Sequence, residues 1–164
     1  MSLRIDFENI EQKCIDAANT EEYDLLVEKV KKAKKIFLIG NGGLHFVANH
    51  MATDLTRLIK NKVVYSFESV GFITSNANDH GFEKMFVRWL ETVCAVENPD
   101  DCLIIGLSCS GNSSNVIRSL HWGHENSFPT FLISGQKSLA LEDKVDQLCF
   151  NCEYFSSPNS FIFS

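Results

Sequence analysis

The sequence predicts a doubly wound α/β fold, in which a parallel sheet carries helices on both faces. Short apolar runs typical of buried strands alternate with longer stretches of helical periodicity, and this alternation is typical of parallel strands joined by helices. Crossovers between parallel strands are right-handed, so the helices come to cover the sheet from both sides. Two loops rich in glycine or serine follow predicted strands, which places them at the carboxyl edge where such sheets bind ligands.

The predicted elements begin with two helices, after which strands and helices alternate. Residues 5–18 and 20–33 carry apolar side chains at helical spacing, among them Ile10, Cys14 and Ala17 in the first helix. Residues 76–81 combine asparagine, aspartate and glycine, which favours a turn. Strands are predicted at residues 34–39, 63–67, 102–107, 130–134 and 147–149, and further helices at 44–59, 82–96, 114–126 and, for one short helix, 139–143.

The length of 164 residues fits a single core, which we divide into a helical segment at 1–33, a domain at 34–158 and a tail at 159–164. No apolar run reaches the roughly 18 residues that span a bilayer. Charged residues such as Arg4 and Asp6 interrupt the N-terminal segment, where a secretory leader is apolar. We therefore expect a cytoplasmic protein without a membrane partner.

The charge balance restricts the class of partner. A net charge of −6 argues against a protein that coats nucleic acid, so no nucleic-acid partner is expected. It does not argue against a phosphorylated ligand, because helix N-termini and hydroxyl groups hold phosphate locally.

The cysteines are expected to be reduced and to pack as small apolar side chains, as is usual in the cytoplasm. Cys149 and Cys152 form a C-x-x-C pair that closes a predicted strand. A zinc ribbon needs a second pair and a thioredoxin-like motif opens a helix, so neither role is expected. The six cysteines are Cys14, Cys94, Cys102, Cys109, Cys149 and Cys152.

A segment rich in hydroxyl groups, residues 108–114, lies between the strand at 102–107 and the helix at 114–126; we call it the serine loop. The first turn of a helix has unpaired N–H groups and the positive end of the helix dipole. Ser108, Ser110 and Ser113 add hydroxyl donors that suit phosphate oxygens. The lysine and glycine spacing of a nucleoside-triphosphate loop is missing, so we expect a phosphorylated small molecule and no nucleotide cofactor. An ordinary serine or asparagine helix cap is the alternative.

Residues 40–43, the glycine loop, contain three glycines around Asn41 and join the first strand to the helix at 44–59. Such a loop lets the main chain pass close to a ligand. A tight strand–helix turn is the simpler explanation, and the glycine spacing is not that of a dinucleotide-binding fingerprint.

His50 and Asp54 are four residues apart on the helix at 44–59, so both side chains lie on one face. A histidine and a carboxylate at this spacing form half of a divalent-metal site, or a base with its orienting partner. A solvent-facing pair without such a role is the alternative. In the turn at 76–81, Asp79 either hydrogen-bonds sugar hydroxyl groups or caps the helix that starts near Phe82.

Together these segments resemble the SIS (sugar isomerase) domain and, more narrowly, the bacterial phosphoheptose isomerases. The matching segments are the glycine loop, residues 50–56, residues 78–82 and residues 108–117, in the family's order and spacing. The resemblance covers residues 5–158. It implies a flavodoxin-like five-stranded parallel sheet, with N-terminal helices that pack together in a homotetramer and sites shared between subunits.

The resemblance also implies a role for each matching residue. The sugar would be lined by Asn41, Gly42 and Gly43 and would meet Asn78 and Asp79 through its hydroxyl groups, while its phosphate would be held by Ser108, Cys109, Ser110 and Ser113.

The chemistry of the family adds a metal and a base. His50 and Asp54 would match two ligands of the zinc ion that many members bind, and Asp54 would be the catalytic carboxylate. The implied reaction interconverts sedoheptulose 7-phosphate and D-glycero-D-manno-heptose 7-phosphate through an enediol, in heptose synthesis for lipopolysaccharide or capsule.

The chain departs from the family pattern at several positions. Asp54 is one methylene shorter than the usual glutamate, and Cys109 stands where threonine is usual. The family continues with a C-terminal helix that carries the second acid/base group and the remaining metal ligands, and the tail at 159–164 stands in its place. Two functions therefore remain open: an isomerase, or a non-catalytic SIS module that senses a phosphosugar or binds a protein such as the replication initiator.

Overall fold

Five short apolar strands pair side by side into one parallel sheet. The computed structural model describes residues 7–151, with side chains from residue 10 onward. The strands are β1 (Lys35–Gly40), β2 (Val63–Ser66), β3 (Cys102–Ser108), β4 (Thr130–Ser134) and β5 (Asp146–Cys149), in the spatial order β2-β1-β3-β4-β5. The predicted flavodoxin-like parallel sheet is confirmed, with strand limits within a residue or two of those predicted.

Helices cover both faces of this sheet. They are α1 (Phe7–Ala18), α2 (Glu21–Lys32), α3 (Gly43–Leu58), α4 (Val70–His80), α5 (Met85–Val93) and α6 (Ser114–Glu125), and 3₁₀ turns occur at Phe82–Lys84, Pro99–Asp101 and Leu139–Leu141. Among residues 7–151, no helix is both long and apolar enough to cross a membrane. The predicted limits of the tail, 159–164, lie outside the described residues, as does Cys152.

Alternate residues of each strand pack into two separate apolar layers, because successive side chains of a strand point to opposite faces of the sheet. Ile36 and Leu38 of β1 are fully buried on the side covered by α1, α2 and α3. Phe37 and Ile39 are buried on the other side, beneath α5 and α6. Burial on both faces explains why the strands read as continuous apolar runs rather than as an alternating pattern.

The turn predicted at residues 76–81 is wrong, because these residues complete α4. Ser69 caps this helix by accepting a hydrogen bond from the Phe72 N–H at 3.2 Å, and Phe72 packs against the core. Asn76 donates to the Phe72 carbonyl one turn back at 3.1 Å, so a side chain typical of turns is accommodated within a helix. The helix ends at Gly81, whose φ of +87° favours glycine.

The helix predicted at 82–96 is shorter than expected. A 3₁₀ turn at Phe82–Lys84 leads into α5, which ends at Val93. Gly81, and not Asp79, occupies the position before this turn, so the alternative in which Asp79 caps the following helix is wrong. Met85, Phe86 and Leu90 form the buried face of α5.

The helix that follows the serine loop rests directly on the middle strand. A Cβ atom built on Gly106 of β3 would lie 2.7 Å from Val116 Cγ1 and 2.9 Å from Leu120 Cδ1, and both of these side chains are fully buried. Such contacts are too short for any residue with a side chain unless Val116, Leu120 or α6 itself shifts. Gly106 therefore sets the distance between α6 and the sheet, and with it the position of the serine loop.

We expect Gly106→Ala to lower the free energy of unfolding by about 1–3 kcal/mol, because overpacking a closed contact strains the core. Urea denaturation followed by circular dichroism measures the change. Gly71→Ala is the matched control, since a Cβ at Gly71 meets nothing within 4 Å and alanine favours its helix. A Gly106→Ala protein as stable as Gly71→Ala would contradict the close seating of α6.

Candidate phosphate-binding site

The glycine loop and the serine loop meet at the carboxyl edge of the sheet. β1 and β3 are neighbours, with Gly40 opposite Leu107, while β2 lies outside β1 and β4 outside β3. The chain therefore passes from β1 outward to β2 on one side, and from β3 outward to β4 on the other side. This is the topological switch point at which doubly wound sheets form their ligand crevice.

An amide pair ties the two loops together. Asn41 Nδ2 donates to Asn115 Oδ1 at 2.8 Å, and Asn115 Nδ2 donates back to Asn41 Oδ1 at 2.8 Å. Asn115 is 1% exposed, and its Oδ1 also accepts from the Val116 N–H at 2.9 Å. The predicted sugar-lining role of Asn41 stays a prediction. In the structure, the hydrogen bonds between Asn41 and Asn115 join the glycine loop to the start of α6.

Sequence reasoning placed Asn115 in a motif but assigned it no role. Its signal in the sequence is weak, because an asparagine at the start of a helix is ordinary. Only the pairing of β1 with β3 brings it opposite Asn41.

The hydroxyl groups of the serine loop face one another across a single turn of chain. Ser108, at the end of β3, is 2% exposed, and its Oγ lies 3.1 Å from Ser113 Oγ. Ser110 Oγ accepts the Asn112 N–H at 3.2 Å. Cys109 is half-buried, and its carbonyl accepts the Gly135 N–H at 3.1 Å. Ser108, Cys109, Ser110 and Ser113 are therefore brought into one compact turn.

The serine loop is not an ordinary helix cap. Ser113 occupies the N-cap position of α6, yet its side chain makes no capping hydrogen bond and pairs with Ser108 instead. A hydroxyl committed to a cap would be occupied by a backbone N–H. The first turn of α6 therefore keeps its ability to bind an anion.

The glycine loop presents open backbone to the same crevice. A Cβ at Gly42 or at Gly43 would meet nothing within 4 Å, and Gly42 has a φ of +54° that favours glycine. Gly40, by contrast, lies tightly between Leu107 and Leu44. Gly42 and Gly43 thus leave space beside the N-terminus of α3, where a ligand can approach the main chain.

The electrostatics of the crevice favour an anion. Both α3 and α6 begin at the carboxyl edge, and neither has an acidic side chain in its first turn or a side-chain cap. Each contributes the positive end of a helix dipole. At the start of α3 the Leu44 and His45 N–H groups donate to the carbonyls of Asn41 and Gly42, and in α6 the Val116 N–H donates to Asn115 Oδ1. A negatively charged group is stabilised between them although the whole chain is acidic.

Asn78 and Asp79 lie exposed at the C-terminal end of α4. Asn78 Nδ2 donates to Asp79 Oδ1 at 2.8 Å, so the two predicted sugar contacts are bonded to each other. Their role toward a sugar stays a prediction.

His50 and Asp54 do share one face of α3, as their spacing predicts. His50 Nε2 lies 3.2 Å from Asp54 Oδ2, and Arg57 Nη1 lies 4.0 Å from Asp54 Oδ1. Their side chains are 80% and 42% exposed. Asp54 comes 11 residues after Gly43, which is roughly 16 Å along the helix axis at 1.5 Å per residue. One chain therefore does not bring Asp54 to its own crevice.

These two residues do not complete a zinc site within the described part of the chain. No group of three or more histidine, cysteine, aspartate or glutamate side chains that could hold a metal ion occurs there. Catalytic zinc sites use three protein ligands and structural sites use four. His50 and Asp54 supply two donors, so zinc binding stays a prediction.

An open groove of about 380 Å³ has Thr53, Thr56 and Arg57 of α3 in its lining, so it lies away from the crevice. It runs between α3 and the exposed edge of β2. Its polar side chains flank the face of α3 that carries His50 and Asp54. The lining residues are Ala52, Thr53, Thr56, Arg57, Val64, Tyr65, Ser66 and Glu68.

The cysteines behave as small core side chains where they are buried. Cys94 and Cys102 are 5% and 1% exposed, and burial raises the pKa of the Cys94 thiol to about 12. Burial also raises the pKa of Cys102. Both thiols stay protonated near neutral pH and are unreactive there.

Comparison with known proteins finds relatives that share one name. No model of a known protein family matches the chain. A phosphoheptose isomerase from Hamiltonella defensa is 32% identical over 126 residues, which are 74% of this chain and 59% of the relative. The chain thus spans less than two thirds of the length of this relative.

Solved structures share the fold. A phosphoheptose isomerase from Francisella tularensis superimposes with a TM-score of 0.67 at 20% identity, covering 88% of this chain and 80% of that one. A second, from Neisseria gonorrhoeae, gives a TM-score of 0.59 at 25% identity, covering 87% and 84%. The chain is therefore a homologue of the phosphoheptose isomerases and has their SIS-type fold.

Proposed function

We propose that this chain binds a seven-carbon sugar phosphate and catalyses its aldose–ketose isomerisation, between sedoheptulose 7-phosphate and D-glycero-D-manno-heptose 7-phosphate. The observation that carries the proposal is the crevice at the switch point, where two uncapped helix N-termini and a cluster of serine hydroxyl groups converge. Relatives that match about three quarters of the chain bear the name of this isomerase, and one of them matches 74% of it.

In the proposed complex the phosphate lies in the serine loop. Backbone N–H groups at the start of α6 and the hydroxyl groups of Ser110 and Ser113 donate to its oxygens, with no lysine required. The sugar chain then extends over Gly42 and Gly43, where the backbone is open. Asn78 and Asp79 contact its hydroxyl groups in this proposal.

The reaction moves one proton between adjacent carbons. A base removes a proton from C1 of the ketose, the C2 carbonyl oxygen gains a proton, and an enediol results. Protonation at C2 and loss of the proton on O1 then give the aldose. We assign the base to Asp54, whose carboxylate lies beside the imidazole of His50.

Asp54 lies too far along α3 to serve the crevice of its own chain, so we propose that the working unit is a homo-oligomer. A second copy then presents the exposed face of α3, with His50 and Asp54, to the first copy's crevice. A tetramer, as the family resemblance implies, meets this need. Zinc at the same pair remains a prediction, and no step above passes through it.

The wider setting follows from the proposed reaction. A heptose 7-phosphate made in the cytoplasm would supply heptose for lipopolysaccharide or capsule. A non-catalytic module that only binds a phosphosugar would need the same serine loop but no Asp54. The names of the relatives favour the isomerase.

We expect Ser113→Ala to weaken binding of sedoheptulose 7-phosphate by about tenfold to a hundredfold, since a hydrogen bond to a charged group contributes about 1.5–3 kcal/mol. Isothermal titration calorimetry measures the affinity. Ser127→Ala, at the opposite end of α6, is the control and should bind as the unaltered chain does. Equal affinity in the two variants would exclude Ser113 from the phosphate site.

We expect Asp54→Asn to reduce isomerase turnover by a factor on the order of 100 to 10,000, because it removes a general base. Affinity for the sugar phosphate should change little, since the phosphate is held elsewhere. A coupled assay of aldose formation gives the rate, and Asp143→Asn, at an exposed loop position, is the control. Binding without turnover in the unaltered chain would favour the non-catalytic module instead.

A further inference from the structure

A short turn after β4 lies directly behind the serine loop. We call residues 135–138 the buttress turn. A Cβ atom built on Gly111 would lie 2.2 Å from the Gln136 carbonyl oxygen and 3.4 Å from Ser138 N. Gly111 also has a φ of +68°, so glycine is required there on two counts. The serine loop therefore keeps its shape only while the buttress turn stays in place.

Backbone hydrogen bonds extend the contact between the two segments. The Gly135 N–H donates to the carbonyl of Ser108 at 3.3 Å and to that of Cys109 at 3.1 Å. These bonds continue the pairing of β3 with β4, in which Ser108 is opposite Ser134. The first half of the serine loop is thus fixed to the first residue of the buttress turn.

Side chains from β4 and β5 fix the rest of the buttress turn. Gln147 of β5 accepts the Ser138 N–H through Oε1 at 2.8 Å and donates through Nε2 to the Ser138 carbonyl at 2.9 Å. Ser134 Oγ donates to the Gln136 carbonyl at 2.7 Å. This carbonyl is the group that packs against Gly111, so both side chains determine where Gly111 can lie.

We propose that Gln147 is a positioning residue for phosphate binding, acting on the serine loop through the buttress turn. The inference rests on the proposed phosphate site. It adds a residue two strands away from β3, on β5, with no place in the crevice itself. Donors that are already aimed at the anion bind it without a cost of reorganisation, and a two-point clamp on the Ser138 peptide supplies that rigidity.

The Ser138 side chain distinguishes positioning of the serine loop by Gln147 from a direct contact between Ser138 and phosphate. Ser138 Oγ is buried and has no hydrogen-bond partner within residues 10–151. The Gln147 clamp holds the backbone of Ser138 and leaves its side chain unused. Ser138→Ala should therefore leave the serine loop and its affinity for phosphate unchanged.

The test compares Gln147→Met with Gln12→Met. Methionine keeps the volume of glutamine and loses both hydrogen bonds to Ser138. Gln12 is a matched control, since its amide also donates a hydrogen bond, to Asp16 at 2.7 Å, on the exposed surface of α1. Hydrogen exchange of residues 109–114 in the ligand-free protein reports the loop, and calorimetry with sedoheptulose 7-phosphate reports binding.

For Gln147→Met we expect about tenfold faster exchange in residues 109–114 and about tenfold weaker binding, as loss of two neutral hydrogen bonds allows. Gln12→Met should change neither. Ser134→Ala, which removes the hydrogen bond from Ser134 Oγ to the Gln136 carbonyl, should shift both measurements in the same direction by a smaller factor. This second variant keeps the test decisive where Gln147→Met does not fold.

Unchanged exchange and affinity in Gln147→Met, with only a lower melting temperature, would overturn the proposal in favour of a purely structural glutamine. A loss of affinity in Ser138→Ala equal to that in Gln147→Met would also overturn it, because the hydroxyl itself would then contact phosphate. If the unaltered chain binds no sugar phosphate while Gln147→Met speeds exchange in the serine loop, the proposed function fails. The effect of Gln147 on the serine loop through the buttress turn then still stands.

Discussion

The parallel pairing of β1 with β3 is the constraint on which the rest of this molecule depends. It places two strand-to-helix loops side by side, so that the N-termini of α3 and α6 share one crevice. Neither helix start alone would distinguish an anion site from an ordinary turn. Their juxtaposition, linked by the amides of Asn41 and Asn115, brings two positive dipole ends together in one place.

The crevice is held from behind by close contacts that only glycine permits. Gly106 lets α6 lie directly on β3, and Gly111 lets the serine loop lie against the Gln136 carbonyl. Both contacts involve buried, well-packed groups, so a small displacement would carry through to the loop. A loop of neutral donors depends on such rigidity, because residues 108–114 include no lysine or arginine that could follow the ligand.

The same geometry separates binding from chemistry. The phosphate crevice lies at the carboxyl edge, whereas His50 and Asp54 lie about two to three turns down α3, on an exposed face. A single copy of the chain has both the crevice and the His50–Asp54 pair, but it does not bring them together. Assembly of several copies is therefore a requirement of the proposed reaction, while the binding of a phosphosugar needs only one.

Apolar periodicity and turn chemistry are local properties, and they were sufficient to predict the layered fold, the strand positions and the two loops. The sequence also placed His50 and Asp54 on one helix face. It failed at α4, where contacts of Phe72 with the core and the Ser69 cap outweigh the turn-forming residues 76–81. Only the tertiary structure revealed that Ser113 is not a cap, that Asn115 joins Asn41 and that Gln147 supports the turn behind Gly111. Asn41 and Asn115 are 74 residues apart, and the pairing of β1 with β3 brings them together, which no local pattern encodes. The bonds of Ser113 to Ser108 and of Gln147 to Ser138 span only five and nine residues, but they depend on side-chain orientations that the residue pattern does not specify.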